Sequence, residues 1–261
     1  MVWYPANHER GRGMSESGDE QVPMVQRTLD LFEAFARADG PMRLSDLAEM
    51  IAMPISSCHA LVKTLQARGY LYASDKLIFP TRRLLDAAAR ILAADPLLAK
   101  IRPVLERIQR ETGETAVCGK RLGGDVLYID VVTGTFPVRF AAEIGALKPL
   151  HSSSLGKACL SLLKPSDYAK LVARLPMAAV TANTIVDRAR LAADIELGRR
   201  QGFFRTVGEN VSDVLGLAVA VRVDGEGVGI AVAGPIERMR ETEEDRLRVL
   251  HAATAALISR G

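Results

Sequence analysis

The sequence predicts an α+β protein of two domains: a small helical domain closed by a β-hairpin, then a larger domain of six strands with segregated helices. Three observations predict it. A length of 261 residues suits two domains, each large enough to bury its own core. Between Pro23 and Phe79, three segments of helical period precede two short apolar runs that flank a turn. Beyond Gly113 the apolar period shortens to that of strands.

The elements follow in order. Residues 1–21 are polar and aperiodic apart from Val2, Trp3 and Tyr4, and read as a disordered arm. Val25, Leu29, Phe32 and Phe35 then fall at helical spacing until Gly40-Pro41 breaks the pattern. Ser45 is the expected N-cap of a two-turn second helix carrying Leu47, Ala48 and Ile51, with Asp46 well placed in its first turn. Pro54 suits the entry of a third helix. There Cys58, Leu61, Val62 and Leu65 form one inward stripe, and Ser56, Ala60, Lys63 and Ala67 point away from it, with His59 and Thr64 on the flanks. Gly69 ends this helix. Tyr70–Tyr72 and Leu77–Phe79 read as strands around Ser74-Asp75-Lys76, so residues 22–81 spell a winged helix-turn-helix.

Residues 82–96 hold a connecting helix (Leu84, Leu85, Ala88, Ile91, Leu92), interrupted at Asp95-Pro96, and residues 97–261 make the second domain. Its pattern gives a helix over Leu97–Glu111 and strands over Ala116–Leu122, Val126–Val132 and Val138–Ala142. Helices over Ser153–Leu163, Ser166–Leu175 and Arg190–Gln201 come next, with Gly202 at the C′ position. Strands over Phe203–Val207, Leu215–Val223 and Val228–Ala233 precede a closing helix over Thr242–Ser259.

Composition excludes several classes. The three cysteines, Cys58, Cys118 and Cys159, form no Cys-x-x-Cys pair and no cluster with His at metal spacing, so no disulfide framework, structural metal or cofactor is expected. No apolar run is long enough for a membrane span or a secretion signal, which places the chain in the cytoplasm. A net charge of +3 identifies no partner by itself.

Charge distribution is more informative. Through Asp95 the chain has 11 basic and 12 acidic residues, but from Pro54 to Arg83 it has five basic (Lys63, Arg68, Lys76, Arg82, Arg83) and only Asp75 acidic. Positive charge gathers on the third helix and wing, where phosphates would lie, and Ser56, Ala60 and Ala67 keep that face low enough for a major groove. The competing reading is a solvated helix face in a protein-interaction module.

A second feature is the Pro149–Ala158 junction between strand and helix, where Ser152, Ser153 and Ser154 surround a helix start that favours an anion. A plain serine cap explains it equally. A Ser nucleophile with His151 as base lacks a Gly-x-Ser-x-Gly elbow, and Gly156-Lys157 lacks the remainder of a Walker sequence, so neither hydrolytic reading has support. A cytoplasmic α+β enzyme stays as the alternative. Glu209, Asn210, Ser212 and Asp213 form a polar loop suited to a pocket wall or a turn.

With these segments placed, the chain resembles the IclR family of bacterial transcription regulators from Val22 to Ile258. The resemblance is carried by Val25-Gln26-Arg27-Thr28-Leu29, Leu44-Ser45-Asp46-Leu47-Ala48, Met53-Pro54, Gly69-Tyr70, Thr112-Gly113-Glu114-Thr115, Pro149-Leu150-His151, Leu155-Gly156-Lys157-Ala158, Gly202-Phe203 and Gly234-Pro235. It implies a winged helix-turn-helix on palindromic promoter DNA, a linker helix, and a GAF-like effector-binding domain with a curved antiparallel sheet, assembled as a homodimer or tetramer. DNA contacts are then expected from Arg43, Ser45, Ser56, Ser57, His59, Lys63, Thr64, Arg68 and Lys76. The family usually has basic residues where Ile55 and Ala60 stand, so two contacts are missing.

The same resemblance assigns effector binding to His151, Ser153, Ser154, Leu155, Gly156, Thr206, Glu209, Gly216, Leu217, Ala231 and Ala233. Members that bind small keto acids have Asp, Cys and two Ser where this chain has Thr206, Gly216, Ala231 and Ala233. Loss of those polar anchors suggests a larger, less polar effector: an aromatic acid with its carboxylate at the Ser153–Gly156 helix start and its body in space left by the smaller side chains.

Overall fold

The computed structural model describes residues 22–38 and 40–258. The arm read over residues 1–21 lies outside them. The chain divides into two compact units between Ile91 and Leu92.

In the first unit, α1 (Pro23–Arg37), α2 (Leu44–Met50) and α3 (Ile55–Ala67) surround a core of Leu31, Ala34, Leu47, Ile51, Cys58, Leu61, Val62 and Leu65. Pro23 opens α1, where its missing N–H costs no bond. The α3 helix ends in a Schellman motif: Gly69 takes a φ of +75°, its N–H donates to the Gln66 carbonyl, and Tyr70 N–H donates to Leu65. Strands β2 (Leu71–Ser74) and β3 (Leu77–Pro80) join through Asp75-Lys76, both at positive φ as a two-residue hairpin turn requires. Tyr72 stacks on its cross-strand partner Phe79 with ring centroids 4.8 Å apart. A two-residue strand, β1 (Met42–Arg43), pairs with β3 and completes a three-stranded wing that the sequence pattern is too short to reveal. Ser45 is not the α2 cap. Arg43 holds that position, and Ser45 lies inside the first turn, where its hydroxyl donates to Asp46 instead. Of the four apolar residues at helical spacing in α1, Phe32 and Phe35 pack partly against the core while Val25 and Leu29 are exposed, and Leu31 and Ala34 are the fully buried positions.

Helix α4 (Arg83–Ala93) has no buried residue, and it exposes Leu84, Leu85, Ile91 and Leu92.

The second unit is built on a six-stranded antiparallel sheet in the order β6-β5-β4-β9-β8-β7. Its strands are β4 (Thr115–Leu122), β5 (Asp125–Val132), β6 (Leu147–Pro149), β7 (Phe204–Val207), β8 (Val214–Val223) and β9 (Glu226–Pro235). A bulge at Cys118-Gly119 interrupts the β4–β5 register, and Asp224-Gly225 closes the β8–β9 hairpin at positive φ. Alternate residues serve two cores. Leu215, Leu217, Val219, Ile230 and Val232 pack with α5 (Pro96–Thr112), α9 (Ile236–Glu241) and α10 (Glu243–Ile258). Val117, Tyr128, Ala218 and Ala231 pack with α6 (Ser154–Ser161), α7 (Pro165–Arg174) and α8 (Arg188–Gln201).

One expectation changes here. Residues 138–142 form no strand. Val138 is exposed, and the Phe140 carbonyl accepts a bond from the Thr115 side chain at 2.6 Å, so this stretch is tied down by a hydroxyl rather than a ladder. The sixth strand is β6, three residues long. The closing helix stands as α10, and a short helix that the sequence pattern does not mark, α9, precedes it, the two separated where Thr242 leaves helical conformation.

Candidate functional sites

On the first unit, α3 presents Ser56, His59, Ala60, Lys63, Thr64 and Ala67 to solvent, with Ser57 half-buried. Arg68 caps the helix and is exposed, and Lys76 stands at the wing tip. Arg43 lies on β1, paired with Leu77 of the wing, and is exposed like Ser45 beside it. Eight of the nine residues expected at DNA are therefore exposed. Thr64 has already donated its hydroxyl hydrogen to the Ala60 carbonyl at 2.9 Å.

On the second unit, strand register assembles a cleft. Thr206, Gly216 and Ala233 stand in one row across β7, β8 and β9. The start of α6 faces that row, because Gly156 lets the helix meet the preceding turn closely: a Cβ there would lie 2.3 Å from the Leu150 carbonyl oxygen. Ser153 is the N-cap, its Oγ accepting from Gly156 N–H at 3.0 Å. Ser152 Oγ accepts from Asn210 Nδ2 at 2.9 Å, joining the helix start to the loop after β7. The cleft is lined by Ser153, Ser154, Thr206, Gly216 and Ala233 together with Tyr128, Phe140, Asn210, Val211 and Val214. Burial pushes the Tyr128 phenol up to about 12, so it stays protonated and can donate.

Several expected effector residues lie elsewhere. Leu217 points into the opposite core, since neighbours along a strand face opposite sides and Gly216 faces the cleft. Ala231 sits one row away, paired with Ala218 and Val117 beneath α6. Leu155 packs into that core, and Gly156 serves the close approach just described. His151 is buried, with Nε2 bonded to the Ala178 carbonyl at 2.9 Å; a carbonyl only accepts, so Nε2 carries the proton. The smaller side chains also leave little space. A Cβ on Gly216 would lie 2.7 Å from Ser154 Oγ and 3.2 Å from Thr206 Oγ1, so those hydroxyls fill the gap. The cavity is about 40 Å³, enough for two or three waters or a carboxylate group and too small for a ring.

Glu209 faces away from this cleft into an ion cluster that sequence reasoning missed. Lys157, fully buried, donates to both Glu209 oxygens at 2.8 and 2.9 Å and pairs with Asp194 Oδ2 at 2.7 Å. It ties α6 to α8 and to the loop after β7. Burial pushes the Glu209 carboxyl above its ordinary value, more than the adjacent Lys157 charge pulls it down. One signal was available: a lysine within Leu155-Gly156-Lys157-Ala158-Cys159-Leu160, a helix buried on every side, must find carboxylates.

All three cysteines are free and buried, and burial raises each thiol, that of Cys159 to about 11. Among the described residues no group of His, Cys, Asp and Glu could hold a metal ion, and no helix is long and apolar enough to cross a membrane.

Fold and sites together define a two-unit regulator, with a helix-turn-helix in one unit and an effector domain in the other. The model of the IclR helix-turn-helix domain matches residues 24–75, and that of the bacterial transcriptional regulator IclR C-terminal domain matches residues 89–260. The chain belongs to the IclR family of bacterial transcriptional regulators. It is 28% identical to the transcriptional repressor IclR of Escherichia coli K12 over 227 residues, 85% of this chain and 83% of that one. It is likewise 28% identical to the probable transcriptional regulator SauR of Cupriavidus necator over 217 residues, covering 82% and 86%. The Thermotoga maritima IclR structure superposes with a TM-score of 0.73 at 19% identity, over 91% of this chain and 99% of that chain. An IclR homolog from Microbacterium hydrocarbonoxydans, solved complexed with 4-hydroxybenzoate, gives 0.69 at 22%, over 90% and 98%. The relatives are regulators and repressors, and this protein is a transcriptional regulator rather than an enzyme.

Proposed function

We propose that the protein is a cytoplasmic regulator that binds palindromic promoter DNA as a homodimer or a dimer of dimers and responds to a small aromatic acid bound at the start of α6. The observation that carries this reading is the convergence of Ser153, Ser154, Thr206 and Asn210 on a cleft walled by Tyr128, Phe140, Val211 and Val214. A few polar groups at one end of an apolar wall suit a carboxylate on an apolar body. The fold accommodates an aromatic acid in the Microbacterium protein.

A cavity of about 40 Å³ admits the carboxylate but not the ring, so the segment carrying Phe140 and the loop carrying Asn210 and Val211 must part. Effector binding is thereby coupled to a change of shape, and the more open population is favoured by whatever occupies it. Exposed Leu84, Leu85, Ile91 and Leu92 on α4, and Val22, Met24, Val25 and Leu29 at α1, are apolar faces that a second copy would cover. Half-sites one turn apart require recognition helices on the order of 34–36 Å apart, or a multiple of that.

Calorimetry tests the effector reading. Benzoate and 4-hydroxybenzoate should bind the full chain more tightly than glyoxylate and pyruvate; the reverse order would sink the aromatic assignment. Gly216→Ala should turn the Ser154 hydroxyl away and weaken aromatic acids about tenfold or more, as expected for a lost charge-assisted hydrogen bond. Its unfolding free energy should stay within about 1 kcal/mol of wild type, because the colliding atom is a rotatable hydroxyl.

A further inference from the structure

The exposed face of α3 lacks most of the side chains that read base edges by hydrogen bonding. In the major groove, Arg or Lys reads guanine through O6 and N7, Asn or Gln reads adenine, and a carboxylate accepts from cytosine, whereas thymine offers a 5-methyl group to apolar side chains. From Ile55 to Ala67 there is no Arg, Asn, Asp or Glu, and Gln66 is half-buried. Beyond His59 and Lys63, what the helix exposes is apolar, small or a hydroxyl. Ile55, in its first turn, is 57% accessible, and Ala60 and Ala67 are exposed further along.

Thr64 keeps acceptor capacity and a methyl, its hydroxyl hydrogen being taken by Ala60. Ser56 and Ser57 can bond to any base, so they discriminate little. Ile55 lies outside the buried inner stripe of Cys58, Leu61, Val62 and Leu65. Its position in the first turn is where a recognition helix meets base edges. With small side chains at Ser56, Ala60 and Ala67, the helix can lie close enough for methyl contact.

We propose, on the strength of the DNA-binding reading above, that α3 selects its half-sites through thymine 5-methyl groups. Ile55 and Ala60 are the specificity-determining residues, and Lys63 is the one permanent cation within the helix for a guanine edge or a phosphate. Half-sites therefore carry thymine at base pairs facing the first two turns of α3.

The test starts from duplexes enriched out of a random library by the full-length protein. Thymines in each half-site are replaced one at a time by deoxyuridine, which removes the methyl and preserves the pairing edge. Anisotropy should show about fourfold weaker binding per methyl lost at a read position, from about 0.8 kcal/mol per buried methylene-sized group. In Ile55→Ser, sensitivity to deoxyuridine should vanish at one position per half-site and persist at the others. Ile55 is exposed, so an unchanged unfolding midpoint verifies that the variant is folded. Equal affinity for thymine and uracil duplexes at every position overturns the inference, as does an Ile55→Ser variant that binds both more weakly by one factor while keeping every methyl response. Failure to enrich any duplex overturns the DNA-binding reading itself, which is a different result.

Discussion

Replacing Lys157 by Met is expected to lower the unfolding free energy of the second unit by about 3–5 kcal/mol at neutral pH, as for other buried ion pairs that lose one partner. The lysine is fully buried, and its removal leaves the carboxylates of Glu209 and Asp194 facing each other without a cation. Both effects of Lys157 on Glu209, charge and hydrogen bond, lower that carboxyl's pKa, so the variant raises it further. A carboxyl whose folded pKa lies above its unfolded value contributes stability that is complete below the unfolded value, here about 4.5, and is lost as pH rises through the folded one. The deficit relative to wild type should therefore shrink as pH is lowered from 7 toward 4.5. Urea unfolding of both proteins across that range checks it. A deficit that stays constant or grows on acidification would show that Glu209 does not titrate against Lys157.

The second large effect is expected from Gly156→Ala. A methyl there would lie 2.3 Å from the Leu150 oxygen and 2.5 Å from its Cα, and backbone cannot swing aside as a hydroxyl can. Overpacking of this kind costs about 1–3 kcal/mol. The helix start must also shift relative to the β7–β8–β9 row, which disturbs the approach of Ser153 and Ser154 to Thr206. Unfolding should show the loss of stability, and calorimetry should show loss of organic-acid binding in protein that is still folded. Binding retained at wild-type affinity would mean that the Ser153–Gly156 start does not hold the effector.

What the sequence made legible depended on how locally each feature is encoded. The buried stripe of α3 was visible because its four members repeat at helical spacing and Gly69 marks the stop. The alternation Val138, Phe140, Ala142 imitated a strand, but the Phe140 and Val138 carbonyls accept from the side chains of Thr115 and Arg238, far away in sequence, rather than from a neighbouring strand. Strands β1 and β6, of two and three residues, are too short for any period to register.

The cleft was legible in part. Thr206, Gly216 and Ala233 were found together with the serines, whereas assigning Leu217 along with Gly216 ignored the two-residue period of a strand. Tyr128, Phe140 and Val214 reach the cleft through sheet register and a loop crossing, neither of which composition expresses. The partners of Lys157 come from α8 and from the loop after β7, so the need for carboxylates was readable but their identity was not.

Regulation of promoter DNA by an aromatic acid is tested most simply by selection of bound fragments from a random duplex library by the full-length protein, performed with and without a mixture of aromatic and aliphatic acids. Enrichment of an inverted repeat is expected, with affinity that falls steeply with salt in proportion to the phosphates contacted and a shift in binding caused by the aromatic class. Folded, oligomeric protein that enriches no duplex under any condition, or an enriched repeat indifferent to every acid, would contradict it.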